Sequence, residues 1–302
     1  MFGRKSRKRQ AEPVEKQENR IHAEGLGHVW AALTGRNPAE IMPQVVGTVL
    51  HEGGTRPPWQ WQSKGNEYIL MAWPQDQPIR AAVLMAGPQG GQLKPVTAFP
   101  LLEGLPNDLT VEDVHPREEG IGGDVAAEML AGKNPMWFFD PLFGRDMSDL
   151  TPGVTHTFWL AAAALVTRKA LLDTVSIAQG PQFDAYAEDW LQANPGKSRL
   201  DVPPLKIDVA GKTLIMPGRV FGEYQLRAVI KKLEDWQFEK MPVKVLYLTF
   251  PFDDRADLEL PLYASQKVLG AYEPEEGDEI EAYAWLQGRI IDLEQNAAQA
   301  KG

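Results

Sequence analysis

The chain has 302 residues, 43% of them hydrophobic and 24% charged, as expected of a globular protein able to bury a core. It contains no cysteine, which excludes disulfides, thiolate metal sites and thiol nucleophiles. The net charge is −10 although the first nine residues hold five basic groups and no acidic one, and so acidic a body argues against binding to nucleic acid.

Residues 1–20, "MFGRKSRKRQAEPVEKQENR", lack any periodic apolar face and read as a disordered basic tail. Arg4, Lys5, Arg7, Lys8 and Arg9 in it suit weak contact with an anionic surface. No apolar stretch follows them as in a secretory signal, and the longest apolar run, "FWLAAAALV", has only nine residues. The expectation is a cytoplasmic protein with no transmembrane segment.

"HAEGLGHVWAALTGRNP" predicts a short helix with Leu26, Val29, Trp30 and Leu33 on one face. "VVGTVL", "EYILMAW" and "IRAAVLMA" then predict short strands, and residues 101–135 read as irregular or weakly helical. "MWFFDPLFGRD" places an aromatic cluster on a turn. "GVTHTFWLAAAALVTRKALLD" predicts a strand to about Leu160, then a helix or a second buried strand. "PQFDAYAEDWLQANPG" is the clearest helix, and "NPGKSRLDVPP" the best candidate linker. Beyond it, "LKIDVAGKTLIMPG" reads as a hairpin turning near Ala210 and Gly211, followed by four further alternating segments. No internal repeat is evident.

The fold class expected is α+β and β-rich. A mixed α+β domain over 21–200 precedes a small antiparallel barrel of the oligonucleotide/oligosaccharide-binding (OB) type over 205–302. In the last segment, "GDEIEAYAWLQGRI", Ile280, Ala282, Ala284 and Leu286 share one strand face, with Tyr283 and Trp285 on the other. Those two aromatics either form a binding platform or pack beneath a second layer; the need of a two-layer protein for such a face favours packing.

No phosphate-binding loop, nucleophile elbow or histidine metal motif is present, and no cofactor is implied. Asp140 and His156 are the residues with which a dispersed hydrolase site would do general base work. Asp253, Asp254 and Asp257 could form a hard-cation cluster, against the alternative of a solvated loop. Trp59, Trp61, Tyr283 and Trp285 are the aromatic candidates for ligand or partner contact.

The segments "WFFDPLF", "PGVTHTFWLAAAAL" and "GDEIEAYAWLQGRI" together resemble bacterial proteins of unknown function with a C-terminal OB-like barrel. The resemblance covers only those segments and implies no activity. The expected function is therefore a non-enzymatic binding or scaffold module whose partner is a protein, with a hydrolase around Asp140 and His156 as the alternative.

Overall fold

The computed structural model describes residues 25–52, 59–117, 122–129, 135–171, 174–253 and 256–291, and it is β-rich with five α-helices among them. Helix α1 (Gly27–Thr34) buries Val29, Trp30 and Leu33 and stops at Gly35, whose left-handed φ of 70° lets its N–H reach the Ala31 carbonyl. Helix α2 (Pro38–Glu52) absorbs "VVGTVL", expected as a strand. Ile41, Val45 and Val49 fall four residues apart on one buried face, so helical periodicity outweighs the β-branched composition.

Strands β1 (Trp59–Ser63), β2 (Asn66–Trp73), β3 (Ile79–Pro88) and β4 (Lys94–Leu102) form a four-stranded antiparallel meander. The stretch expected to be irregular carries the end of β4, then β5 (Leu105–Pro116) and β6 (Gly123–Glu128). Every residue of β6 is buried, so the strand lacks the alternation by which a half-exposed strand is read. Gly123 is there for space: a methyl group on it would lie 2.3 Å from the Phe143 ring. The aromatic cluster is itself a buried strand, β7 (Met136–Asp140), followed by the turn and the short helix α3 (Phe143–Asp146).

The next segment is one 15-residue strand, β8 (Thr155–Lys169), through the whole alanine run. Ala161 to Ala164 are buried on both faces, Ala162 and Ala164 in one core and Ala161 and Ala163 in another. Small side chains are needed where two packed layers meet across one strand. Strand β9 (Thr174–Ile177), helix α4 (Pro181–Ala193) and strand β10 (Leu205–Asp208) form a small unit with its own core of Phe183, Ala187 and Val202. The hairpin expected across Ala210 and Gly211 does not form. Strand β10 pairs with β9, and β11 (Leu214–Pro217) pairs with β12 (Glu223–Phe238). Strands β13 (Met241–Asp253) and β14 (Ala256–Ser265), helix α5 (Gln266–Leu269) and strand β15 (Glu279–Ile290) complete the described chain.

The pairings of the nine-stranded sheet close into two rings of five strands that share β8 and β15. One ring runs β12–β13–β14–β8–β15 and back to β12, with β14 and β8 parallel at Leu262–Ala162 and Tyr263–Ala163. The other runs β5–β6–β7–β15–β8 and back to β5, with β7 and β15 parallel at Phe139–Gln287. Residues 205–302 therefore do not supply all the strands of that ring, because β8 lies earlier in the chain. The connectivity also repeats where the residues do not. An antiparallel three-strand meander, a four-residue helix and a long strand occur as β5–β6–β7–α3–β8 and again as β12–β13–β14–α5–β15.

Two cores follow from strand alternation. Ile280, Ala282, Ala284 and Leu286 of β15 pack in the first, with Leu246, Leu248, Leu260 and Leu262. Trp285 points the opposite way into the second core, under the four-stranded meander and α1. Gln287 fastens this upper layer: its amide donates to the Pro100 carbonyl at 2.8 Å and accepts from the Leu102 N–H at 2.8 Å.

Candidate functional site

The outer face of β15 has two different halves. Toward its C-terminus, Trp285 is fully buried, with its ring centroid 5.6 Å from that of Phe139. Toward its N-terminus the described residues of the upper layer do not cover it. There Glu281 and Tyr283 form the floor of a half-open groove of about 530 Å3 that also runs over β8, β12 and β11. Its walls are apolar, and two wall residues are unusually open to solvent: Val166 is 56% exposed and Met216 46%.

The floor is an ion-pair network. Arg227 is almost wholly buried and donates from Nε to Glu279 at 2.7 Å and from Nη1 to Glu281 at 3.1 Å. Arg168 donates to the other oxygen of Glu281 from Nε at 3.0 Å and Nη2 at 2.7 Å. Both arginines therefore converge on Glu281. Arg168 is 66% exposed and lines the groove.

At one end of the floor the Tyr283 hydroxyl donates to Glu223 at 2.5 Å, and His28 Nε2 of α1 lies 3.0 Å from the same carboxylate. Burial by itself would raise the Glu223 pKa, but the hydrogen bonds from His28 and Tyr283 outweigh it and hold the carboxyl below its ordinary range. Gly218 makes room for this triad, since a methyl group there would lie 2.5 Å from the Tyr283 oxygen. Beyond the network, Lys169 donates to Asp278 at 2.5 Å and Tyr272 donates to its other oxygen at 2.9 Å.

The four aromatic candidates do not assemble into one surface. Tyr283 is half-buried in the groove floor, while Trp285 offers no ring face to a partner. Trp59 is buried on β1, with the Arg289 guanidinium 5.8 Å from its ring. Trp61 stacks on Tyr68 at 5.4 Å. Asp140 and His156 do not meet either. Asp140 is fully buried, and its Oδ1 accepts the Leu142 N–H at 2.7 Å, capping the turn into α3, while Oδ2 has no hydrogen-bond partner among the described residues. Burial, reinforced by Asp146, pushes its carboxyl well above the usual range, against the opposing pull of the Leu142 N–H, Arg145 and Arg289. His156 instead pairs Nε2 with the Asp149 carbonyl at 2.9 Å. Of the acidic trio, Asp254 lies outside the described residues. Asp253 and Asp257 sit on the two arms of the β13–β14 hairpin, where Asp257 is exposed. Among the described residues, no three Asp, Glu or His side chains are grouped as metal ligands, and no helix is long and apolar enough to cross a membrane.

Sequence reasoning missed Arg168, Arg227, Val166 and Met216. The periodic signal was present for Arg227 and Glu281, on facing strands, but their pairing across β12 and β15 depends on a register that only the closed ring defines. No protein-family model matches the chain, and no curated protein is similar to it.

Proposed function

We propose that the protein is a non-enzymatic, protein-binding module of the bacterial cytoplasm, and that the groove over β8, β11, β12 and β15 is where its partner docks. The observation that carries this reading is the exposure of Val166 and Met216 on the walls of a cavity of about 530 Å3. Apolar side chains left open in a concavity above an ion-paired floor suit a partner better than solvent. The occupant is a segment of another protein that presents apolar side chains to the walls and a carboxylate to Arg168, whose exposed guanidinium matches that group in shape and charge. In this reading each strand ring is an OB-like barrel, supported by its meander, helix and closing strand. The basic residues from Arg4 to Arg9 would add a weak, salt-sensitive attraction to an anionic surface. The test is a photo-crosslinking amino acid at position 216 of the full chain in its native host, with mass spectrometry of the adduct. A discrete protein adduct that is lost on Val166→Asp and on Arg168→Glu supports the groove as the docking site. An adduct unchanged by both substitutions would overturn it.

A further inference from the structure

The groove is bounded on one side by β11, the end strand of the nine-stranded sheet. Among the described residues β11 pairs only with β12. The Gly218 N–H donates to the Glu223 carbonyl at 2.7 Å, and strand alternation from that bond fixes where the backbone groups of β11 point. Leu214 and Met216 turn theirs to β12, opposite Arg227 and Gln225. Ile215 and Pro217 turn theirs to the other edge. That edge therefore presents the Ile215 N–H, the Ile215 carbonyl and the Pro217 carbonyl, since proline has no N–H. Pro217 keeps the edge short, which limits indiscriminate pairing without closing it to a strand in register. The side chains divide in the other direction: Leu214 and Met216 line the groove, while Ile215 packs on the first core.

Backbone, side chains and charge agree on what fits this edge. In register, Val166, Tyr283, Gln225 and Met216 form one row across β8, β15, β12 and β11, and Leu214 ends the neighbouring row. A further strand beside β11 would set one side chain next to Met216 and another, two residues away, next to Leu214. Both neighbours are apolar, so the added strand needs apolar residues at alternate positions. Lys212 and Arg219 stand exposed at the two ends of β11. Neither has a carboxylate partner among the described residues; Lys212 Nζ donates to the Asp208 carbonyl instead. Two such cations at the ends of an open edge complement a segment whose flanks are acidic.

We propose that the partner docks by strand addition: an extended segment of another protein, apolar at alternate residues and acidic at its flanks, pairs with the open edge of β11 through Ile215 and lays its apolar side chains beside Leu214 and Met216. This rests on the groove being the docking site, and it names the conformation and chemistry of what docks there. The probe is a peptide selected on the full chain from a phage-displayed library of random dodecamers, then synthesised and titrated by NMR. Selected peptides should alternate apolar residues between acidic ends, shift the Val166 and Met216 methyl signals and slow the exchange of the Ile215 amide. N-methylation of the two alternate peptide bonds whose N–H groups meet the Ile215 and Pro217 carbonyls should weaken binding about tenfold each, and N-methylation of the bond between them should have little effect. Lys212→Glu combined with Arg219→Glu should weaken binding severalfold. Both positions are exposed, and a thermal melt checks that the variant stays folded. Leu200→Ser, far out on an exposed turn, should leave the affinity unchanged. Methyl shifts without alternation in the N-methyl scan would overturn strand addition and leave the groove as the docking site. No enriched peptide, or peptides that leave Val166 and Met216 unmoved, would overturn both readings. An Ile215 amide already protected in the free protein would show that the chain covers its own edge, and protection that grows with protein concentration would give the edge to a second copy; either result overturns the proposal.

Discussion

At the scale of single residues, the buried polar groups decide how the protein responds to substitution and pH. Trp285 fills the second core with no exposed surface, so Trp285→Ala should cost about 3–5 kcal/mol in chemical denaturation, as is usual for loss of a large buried aromatic. A cost below about 1 kcal/mol would mean that the core closes over the gap. Asp140 and Glu223 act in opposite directions. The Asp140 pKa is raised in the fold, so its contribution is fully present below its unfolded pKa near 3.8 and is lost as pH rises through the folded value. Asp140→Asn keeps the acceptor for the Leu142 N–H and cannot ionise, so the variant should gain stability over the wild type as pH rises above about 4. A stability difference that does not change with pH would remove this assignment. Glu223 has a lowered pKa, so its contribution is present above its unfolded value near 4.5 and is lost as pH falls through the folded value. Glu223→Gln should therefore flatten the acid limb of the stability profile, measured by urea melts between pH 3 and 6.

Among the elements, β8 and β15 carry the most constraint, because each belongs to both rings. Their small residues reflect that duty. Gly288 of β15 faces Leu160 and Phe138, and a methyl group there would lie 2.6 Å from both. Those neighbours are side chains and can yield in part, so Gly288→Ala should destabilise by about 1–3 kcal/mol, the usual range for overpacking a filled core. Equilibrium unfolding of the single variant measures it, and a neutral result would show that the ring interior has slack. The alanine run of β8 follows the same logic. Alanine favours helix in isolation, yet ladder bonds to β5, β14 and β15 leave this segment no room for anything but an extended strand.

For the whole molecule, the shared strands make the two halves interdependent. Each ring draws four strands from its own half and its fifth from the other, so neither half can satisfy its ladder alone. The chain cut between residues 171 and 174 should yield two fragments that co-purify as a one-to-one complex when expressed together. Each expressed alone should lack a cooperative thermal transition. A C-terminal fragment that folds by itself as a monomer would contradict the exchange of β8 into its ring.

Local chemistry by itself determined the β-rich class, α1 and α4, the strands β2 and β3, and the two-faced pattern of β15. Those features rest on turn residues, helix stops and side-chain alternation within one segment, which act over a few residues. The alternation of "EIEAYAWL" also set Trp285 opposite Ile280, Ala282, Ala284 and Leu286, and thereby required something to cover it. Only the tertiary structure decided which half of that face is covered. The meander over Trp285 stops short of Tyr283, because Gln287 and Arg289 hold the end of β4 at the C-terminal end of β15. It also decided that β6 and β7 are strands, that the alanine run is not a helix, and that β8 closes two rings at once. Residues buried on both faces lose the periodic signature of their element, and strand pairing over a hundred residues or more is set by packing that no local pattern encodes. The groove is the same case: Arg168, Arg227 and Glu281 become one network only when β8, β12 and β15 lie side by side.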